Sequence, residues 1–455
     1  MTRYNKITEN NMCENVLLIT IDSLRYDSTP QTEGDERSSL DDSQSNTTSF
    51  TRAFATGPGT TPSFPAMITG TLPLSYGGLG PLTDERPRVA ANLQSHGITT
   101  AAFQCNPFLS EHFNYEVGYD QFKDYQNPLM GIATKIFPRG IEINNPKLAR
   151  IDDTLHITDL IKKSYQAIKG KPRPYVSAEV ITDDTIEWLQ TANQPFFCWT
   201  HYMDVHHPCF PPQEYRQEYD VGDVTQTDVS DWYSALLRDP ESLSNNETIN
   251  LRKLYNASIA YVDDQIQRIV DLLKTQGLYE NTTIIITSDH GELFGDHEQY
   301  GKPERMFDEL LHVPLIITNG PDYLEDAQDQ LVSLLDIPPV IHDIFKIDIP
   351  TEYEGQLPGV DEPRSVIMAE HEVQGEVIVG ARSLEWLYEG DEIVDEHRLF
   401  DLRDGFAPAE INDPDGKLVR KTVLSRLNEL DVDARYLQGN MEEDVESRLE
   451  DLGYL

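Results

Sequence analysis

NVLLITIDSLRYD (Asn15–Asp27) opens with a short, nearly continuous apolar run and breaks off at an aspartate. Successive side chains of a β-strand point to opposite faces, so a run without polar alternation predicts a strand covered on both sides, as in a parallel sheet. In open sheets of that kind ligands sit beyond the carboxyl ends of the strands. Asp22 is therefore expected at the rim of a crevice.

Similar runs recur along the chain as ITTAAFQ (Ile98–Gln104), PFFCWTHY (Pro195–Tyr202), TTIIITSD (Thr282–Asp289) and VPLIITNG (Val313–Gly320). Among them ASIAYVDDQIQRIVDLLKTQG (Ala257–Gly277) repeats its apolar residues at helical spacing. This alternation predicts an α/β fold, a doubly wound, mostly parallel sheet flanked by helices. The turn TGPGTTPSFP (Thr56–Pro65) followed by AMIT should lead into a helix, whose first backbone amides can hold an anion. Residues 28–48, 127–159 and 214–246 read as surface loops, the last two as candidates for substrate choice. Late in the chain VIVGARSLEWLYEG and HRLFDLRD suggest short antiparallel strands, and a charged helix is expected from Lys417 to Asp451. The expected organisation is a catalytic domain over 1–360 and a small C-terminal α+β subdomain over 361–455.

Charge narrows the partners. With 78 acidic against 36 basic residues the net charge is −42, spread along the whole chain. Such a field repels nucleic acid and anionic lipid. It suits a protein kept soluble where molar salt shrinks the Debye length to about 3 Å, so a halophilic, haloarchaeal source is expected. The four cysteines form no CxxC pair, which argues against a zinc ribbon or a disulfide framework. The N-terminus lacks an apolar signal core and no run nears the ~20 residues of a membrane span. A cytoplasmic location and no transmembrane segment follow as expectations.

Three strands end in polar clusters: Asp22, the segment from His201 to His207, and Asp289 with His290. Each alone is as readily a turn residue or a hydrogen-bonded histidine. Together they offer two carboxylates and an imidazole, a mixed set suited to a divalent cation, with Thr60 or Thr61 as the hydroxyl that such an ion would activate. The bland reading of those threonines is a helix N-cap.

These segments resemble the alkaline phosphatase and sulfatase superfamily over most of the chain. NVLLITIDSLRYD is similar to its first metal-binding strand, TTPSFPAMITG to its nucleophile turn and TSDHGELFGDHEQYGK to its second metal motif. HVPLIITN and RLFDLRD follow in the sulfatase order. Aligning Pro62, Ser63, Thr69 and Gly70 with the sulfatase pattern puts Thr60 at the nucleophile, where sulfatases carry a Cys or Ser that becomes formylglycine. A threonine cannot. Phe64 stands at the pattern's arginine, Asn106 lies near the place of a missing Lys and His, and Ser23 replaces the second Asp of a DD pair.

An Asp, Thr, Asp, His set is more similar to the phosphoglycerol and phosphoethanolamine transferases and the nucleotide pyrophosphatases, which form a phosphothreonine. The resemblance implies one divalent ion (Mn, Zn, Mg or Ca) held by Asp22, Thr60, Asp289 and His290. Asp204 and His206 are in reserve for a second. It further implies that His206 assists the leaving oxygen and that Lys302 contacts the anionic ester. Asn106, His201, His207, Arg25 and His312 are the candidates for substrate contact. The expected partner is an anionic small-molecule, glycan or lipid-linked ester, phosphate in preference to sulfate. A formylglycine-independent sulfatase and an inactive anion- or glycan-binding member are the alternatives.

If the acidic excess serves concentrated salt, dilution of the purified chain from molar to millimolar KCl should unfold it. Circular dichroism reads this directly, and a signal indifferent to salt would remove the halophilic reading.

Overall fold

The computed structural model describes residues 15–29, 46–125, 175–373, 376–391, 397–403 and 405–430. The expected N-terminal segment with Cys13, most of the 28–48 and 127–159 loops, and the helix beyond 430 lie outside them.

In chain order β1 (Asn15–Ile21), β2 (Thr47–Ser49) and β3 (Ala53–Phe54) precede helix α1 (Thr60–Thr69). Helix α2 (Val89–Ser95), β4 (Thr99–Phe103), β5 (Gln121–Lys123), α3 (Ala178–Leu189) and β6 (Phe196–Tyr202) follow. Next come α4 (Gln226–Arg238), α5 (Asn245–Gln276), β7 (Thr282–Ser288) and the hairpin β8 (Leu293–Phe294) and β9 (Tyr300–Gly301). Strands β10 (Leu315–Thr318) and β11 (Val332–Ser333) and helix α6 (Ile337–Ile344) complete this part.

Among the described residues seven strands form the main sheet, in the order β2-β10-β7-β1-β6-β4-β5. Strands β7, β1, β6, β4 and β5 are mutually parallel, while β10 runs antiparallel to both β7 and β2. Every residue of β1, β6 and β7 is buried. Alternate residues of β1 enter two cores: Val16 and Leu18 pack on the side of α1, α2 and α6, and Leu17, Ile19 and Ile21 on the side of α3 and α5. The expected doubly covered α/β sheet is what the chain forms.

The expectation of a loop over 214–246 is overturned. Gln213–Glu218 and α4 are helical, and α5 starts at Asn245, well before the expected Ala257. Both longer helices begin with a reciprocal capping box, Thr225 with Asp228 and Ser244 with Glu247. The pattern was visible as TQTD and SNNE, but weak hydrophobic periodicity hid it.

The C-terminal part is an antiparallel meander of β12 (Ile367–Val373), β13 (Glu376–Arg382), β14 (Trp386–Asp391), β15 (His397–Asp401) and β16 (Ala407–Ala409). Helix α7 (Lys417–Glu429) covers it with Val419, Val423 and Leu427. Ile367, Ala369, Leu387 and Phe400 join the core under α1, so the two parts share apolar packing. Glu370, fully buried, accepts from Arg426 Nε at 2.5 Å and from the Leu74 amide at 2.8 Å. No helix among the described residues is long and apolar enough to cross a membrane.

Removing the guanidinium that faces Glu370 leaves a buried carboxylate without its counter-charge. Arg426→Leu should therefore lose about 3–5 kcal/mol of unfolding free energy in a denaturant titration.

Candidate active site

Strands β6, β1 and β7 are parallel and in register, with Ile21 opposite Tyr202 on one side and Ser288 on the other. Asp22 and Asp289 therefore leave neighbouring strands side by side, both fully buried. The turn after β1 is tight: Ser23 holds φ +62°, and Tyr255 of α5 ties it by donating to the Ser23 carbonyl and accepting from the Arg25 amide. Ser288 closes the turn after β7 by donating to the carbonyls of Ile21 and His290. Gly291 meets the backbone at Glu309 at close range, since a Cβ there would lie 2.0 Å from the Glu309 carbonyl oxygen.

Asp22, Asp289 and His290 bring one ligand atom each to within 4.8 Å of one another. His290 Nε2 lies 3.5 Å from Asp22 Oδ1 and 3.5 Å from Asp289 Oδ2. Its Nδ1 is 2.8 Å from the Gly291 carbonyl, which can only accept, so the ring proton sits on Nδ1 and Nε2 presents a lone pair to the cluster. Asp289 Oδ1 accepts from the amides of Ser23 and His290, while Oδ2 is buried with no partner among the described residues. Thr60, the first residue of α1, donates to Asp22 Oδ2 at 3.3 Å and has Oγ 3.4 Å from His290 Nε2. Asn106 donates to the same Asp22 oxygen at 2.9 Å.

The charges are unbalanced. Burial pushes Asp289 well above the usual carboxylate range, and the neighbouring Asp22 charge adds to it. Burial would raise Asp22 too, but His206, His201, His290 and Lys302 outweigh it and hold this carboxyl well below the usual range. One carboxylate is thus ionised at the expense of the other. An orphaned buried oxygen, a bare imidazole nitrogen and two competing carboxylates fit a divalent cation, and they give the donor set O, O, N with Thr60 to complete it.

Lys302, just after β9, donates to His206 Nε2 at 2.6 Å. His206 Nδ1 is 2.6 Å from the His207 carbonyl, so its proton lies there and Nε2 is the accepting nitrogen. Burial and then the Lys302 charge push the His206 imidazole down to about 3.

The remaining expectations fall elsewhere. His201 touches Asp22 through Nε2, 3.6 Å from Oδ2, and Thr20 through Nδ1. His207 stacks on Tyr233 with centroids 4.1 Å apart. Arg25 is spent on Asp27, Asp296 and the Glu292 carbonyl, so it ties the two motifs together. His312 is sandwiched between Tyr26 and Phe54 with Nε2 on the Thr51 carbonyl, and its contacts include no member of the cluster. Asp204, held in reserve for a second ion, instead accepts from the Ala178 amide at the start of α3. Phe64 packs against Trp199, His201 and Tyr115.

One buried acid escaped the sequence reading. Glu292 accepts from Tyr233 at 3.1 Å, keeps Oε2 unpartnered among the described residues, and is pushed up to about 7 by burial against the opposing pull of Lys302. Its place in DHGE carries no mark of a buried acid; the buried Tyr233 on α4 that it meets is what distinguishes it.

The geometry can be set beside known proteins. The family model described as Sulfatase matches residues 14–347, and the chain belongs to the sulfatase family. It is 31% identical over 207 residues to the uncharacterized sulfatase YidJ of Escherichia coli (strain K12), covering 42% of this chain and 40% of that protein. It is 28% identical over 192 residues to an arylsulfatase of Clostridium perfringens, covering 38% of this chain and 39% of that one. The matched stretch thus spans about two fifths of these relatives. Its fold resembles that of the phosphonate monoester hydrolase of Agrobacterium radiobacter, with a TM-score of 0.64, 20% identity and coverage of 92% of this chain and 96% of that one.

Burial holds His312 down to about 4 against the upward pull of Asp308, with a smaller downward push from the Arg382 charge. A histidine depressed in the fold contributes stability above its unfolded pKa of about 6.5 that drains away as pH falls toward 4. The slope of stability against pH over that window should flatten in His312→Gln, as measured by urea unfolding at half-unit pH steps.

Proposed function

We propose that this chain is a metal-dependent hydrolase or phosphotransferase that acts on a phosphorus ester through Thr60. The observation that carries the reading is the Thr60 hydroxyl at a helix start, within 3.4 Å of both Asp22 and His290. Asp22, Asp289, His290 and Thr60 are the residues that would hold one divalent ion; the oxygen donors suit Mn, Mg or Ca and the imidazole suits Zn. Bound there, the ion would lower the pKa of a nearby hydroxyl and offset the charge of an anionic ester.

The chain's own groups supply the rest. Thr60 Oγ, its hydroxyl proton released to solvent, attacks phosphorus in line while the P–O bond to the leaving group breaks. The first amides of α1 face the anion. The proton shared by Lys302 and His206 goes to the departing oxygen, and water or an acceptor alcohol then releases the phosphoryl group from Thr60.

The charge count favours a singly charged ester, a diester or a phosphonate monoester, over a dianionic phosphate. Lys302 is a cation whose field reaches Asp22, Asp289 and Glu292. Phe64 and Asn106 stand where the resemblance leads one to look for further cations, and Arg25 is neutralised by Asp27 and Asp296. The phosphonate monoester hydrolase of the same fold is in keeping with this. The arylsulfatase relative supports a second reading, attack of Thr60 on a sulfate monoester, which is also singly charged. For either, the organic half is an anionic small molecule, glycan or lipid-linked ester. The acidic excess supports work in the cytoplasm of a halophile.

The test is a high-salt assay with added Mn, Zn or Mg against nitrophenyl phosphate, a bis-nitrophenyl phosphate, a nitrophenyl phosphonate and nitrophenyl sulfate. Phosphodiester or phosphonate turnover that falls at least a thousandfold in Thr60→Ala is expected. Preferential sulfate turnover would transfer the assignment to the second reading, and full activity in Thr60→Ala would end both.

A further inference from the structure

We infer that His201 is a positioning residue for the cation site, and that a buried relay from Trp199 through Thr20 to His201 fixes the way Asp22 faces the ion. The inference rests on the reading of Asp22, Asp289 and His290 as cation ligands, and it concerns how one of those ligands is oriented.

The relay starts at a group with no freedom. An indole nitrogen only donates, and Trp199 Nε1 gives its hydrogen to Thr20 Oγ at 3.0 Å. Thr20 Oγ in turn lies 2.9 Å from His201 Nδ1, a contact that either atom could donate. The far end decides. His201 Nε2 is 3.6 Å from Asp22 Oδ2, and an ionised carboxylate only accepts. A ring carrying its proton on Nδ1 would turn a lone pair toward a negative charge inside the core, whereas one carrying it on Nε2 turns an N–H there. With the proton on Nε2, Nδ1 must accept, and the Thr20 hydroxyl is the donor it meets. Each group then passes one hydrogen forward, from indole to hydroxyl to imidazole to Asp22.

The surroundings leave the relay no substitute. Thr20, Trp199, His201 and Asp22 are all fully buried. The His201 ring is flanked by Phe64 edge-on, with centroids 5.2 Å apart and planes at 89°, at the position where a sulfatase pattern carries arginine. Nε2 has no hydrogen-bond partner among the described residues, and 3.6 Å is longer than a hydrogen bond. Its influence on Asp22 is therefore that of an aimed dipole beside two true donors, Asn106 and Thr60, on the same oxygen. Those three groups engage Oδ2, while Oδ1 is the oxygen that faces His290. The relay's effect is to hold the carboxylate plane so that the second oxygen stays with the other ligands. Outer partners of this kind are worth about 10–100-fold in metal affinity.

The experiment is calorimetric titration of the full chain, stripped with chelator and kept in high salt, with Mn²⁺. The unaltered chain should bind one equivalent. His201→Leu should bind about 10–100-fold more weakly, and His201→Gln, whose amide N–H can point at the same carboxylate, should recover most of that loss. Thr20→Val should weaken binding and Thr20→Ser should not, which keeps the test valid if the leucine variant fails to fold. Equal affinity in His201→Leu and Thr20→Val, or a glutamine variant no better than leucine, would overturn the inference while leaving the cation site standing. No binding by the unaltered chain would instead bring down the cation reading and the inference with it.

Discussion

Two carboxylates forced together in the core are the constraint on which this site depends. The in-register pairing of β1 with β7 leaves no choice about it: once Ile21 stands opposite Ser288, the residues that follow are both aspartates at one sheet edge. Like charges a few ångströms apart inside a protein cannot both stay ionised without compensation. The fold concentrates its compensation there, with Ser23, Asn106 and Thr60 hydrogen bonding to Asp22 and the amides of Ser23 and His290 to Asp289. It is still incomplete, because Asp289 Oδ2 is left over.

The other parts of the structure can be understood as holding that arrangement still. Tyr255 on the longest helix pins the turn at Ser23, and Arg25 clamps this turn to the hairpin of β8 and β9 through Asp296 and the Glu292 carbonyl. The same hairpin delivers Lys302 to His206. Tyr255, Arg25 and the hairpin thus connect α5, the turn after β1 and the Lys302–His206 pair in one chain of contacts. The C-terminal sheet contributes at one remove, by burying Glu370 against the amide of Leu74 just beyond α1.

How much of this was legible in the sequence follows from what kind of signal each residue leaves. An apolar run that stops at Asp is ambiguous alone, but two such strand ends, one followed by a histidine, with a threonine turn between them in the chain, point together to a shared site. Hence Asp22 and Asp289 were found with Thr60 and His290, and the structure brings all four together. Lys302 and His206 came from the resemblance alone, and they meet at 2.6 Å. Arg25 and His312 lie in the same motifs yet face away from the cluster, because adjacency in a motif carries no information about side-chain direction. Thr20 and Tyr255 left no trace at all. Each occupies a position that periodicity assigns to the core, and a hydroxyl in an apolar run or on an apolar helix face reads as a tolerated substitution until its partner is known.

Phe64 bears most directly on how far family membership constrains chemistry here. A guanidinium at that position would place a charge beside His201 and Trp199, and it would need an anion to justify its burial. The phenyl ring needs none, and it packs against the relay that ends at Asp22. With phenylalanine there, this buried position carries no charge and backs the relay to Asp22 with apolar surface. On the proposed reading an anionic ester would meet the ion, Lys302 and the first amides of α1 there, with no charge contributed from position 64. On that reading such a site would select a singly charged ester, a class that takes in phosphonate and sulfate monoesters alike, so the choice between phosphorus and sulfur would rest with the nucleophile Thr60 and not with the charge of the substrate.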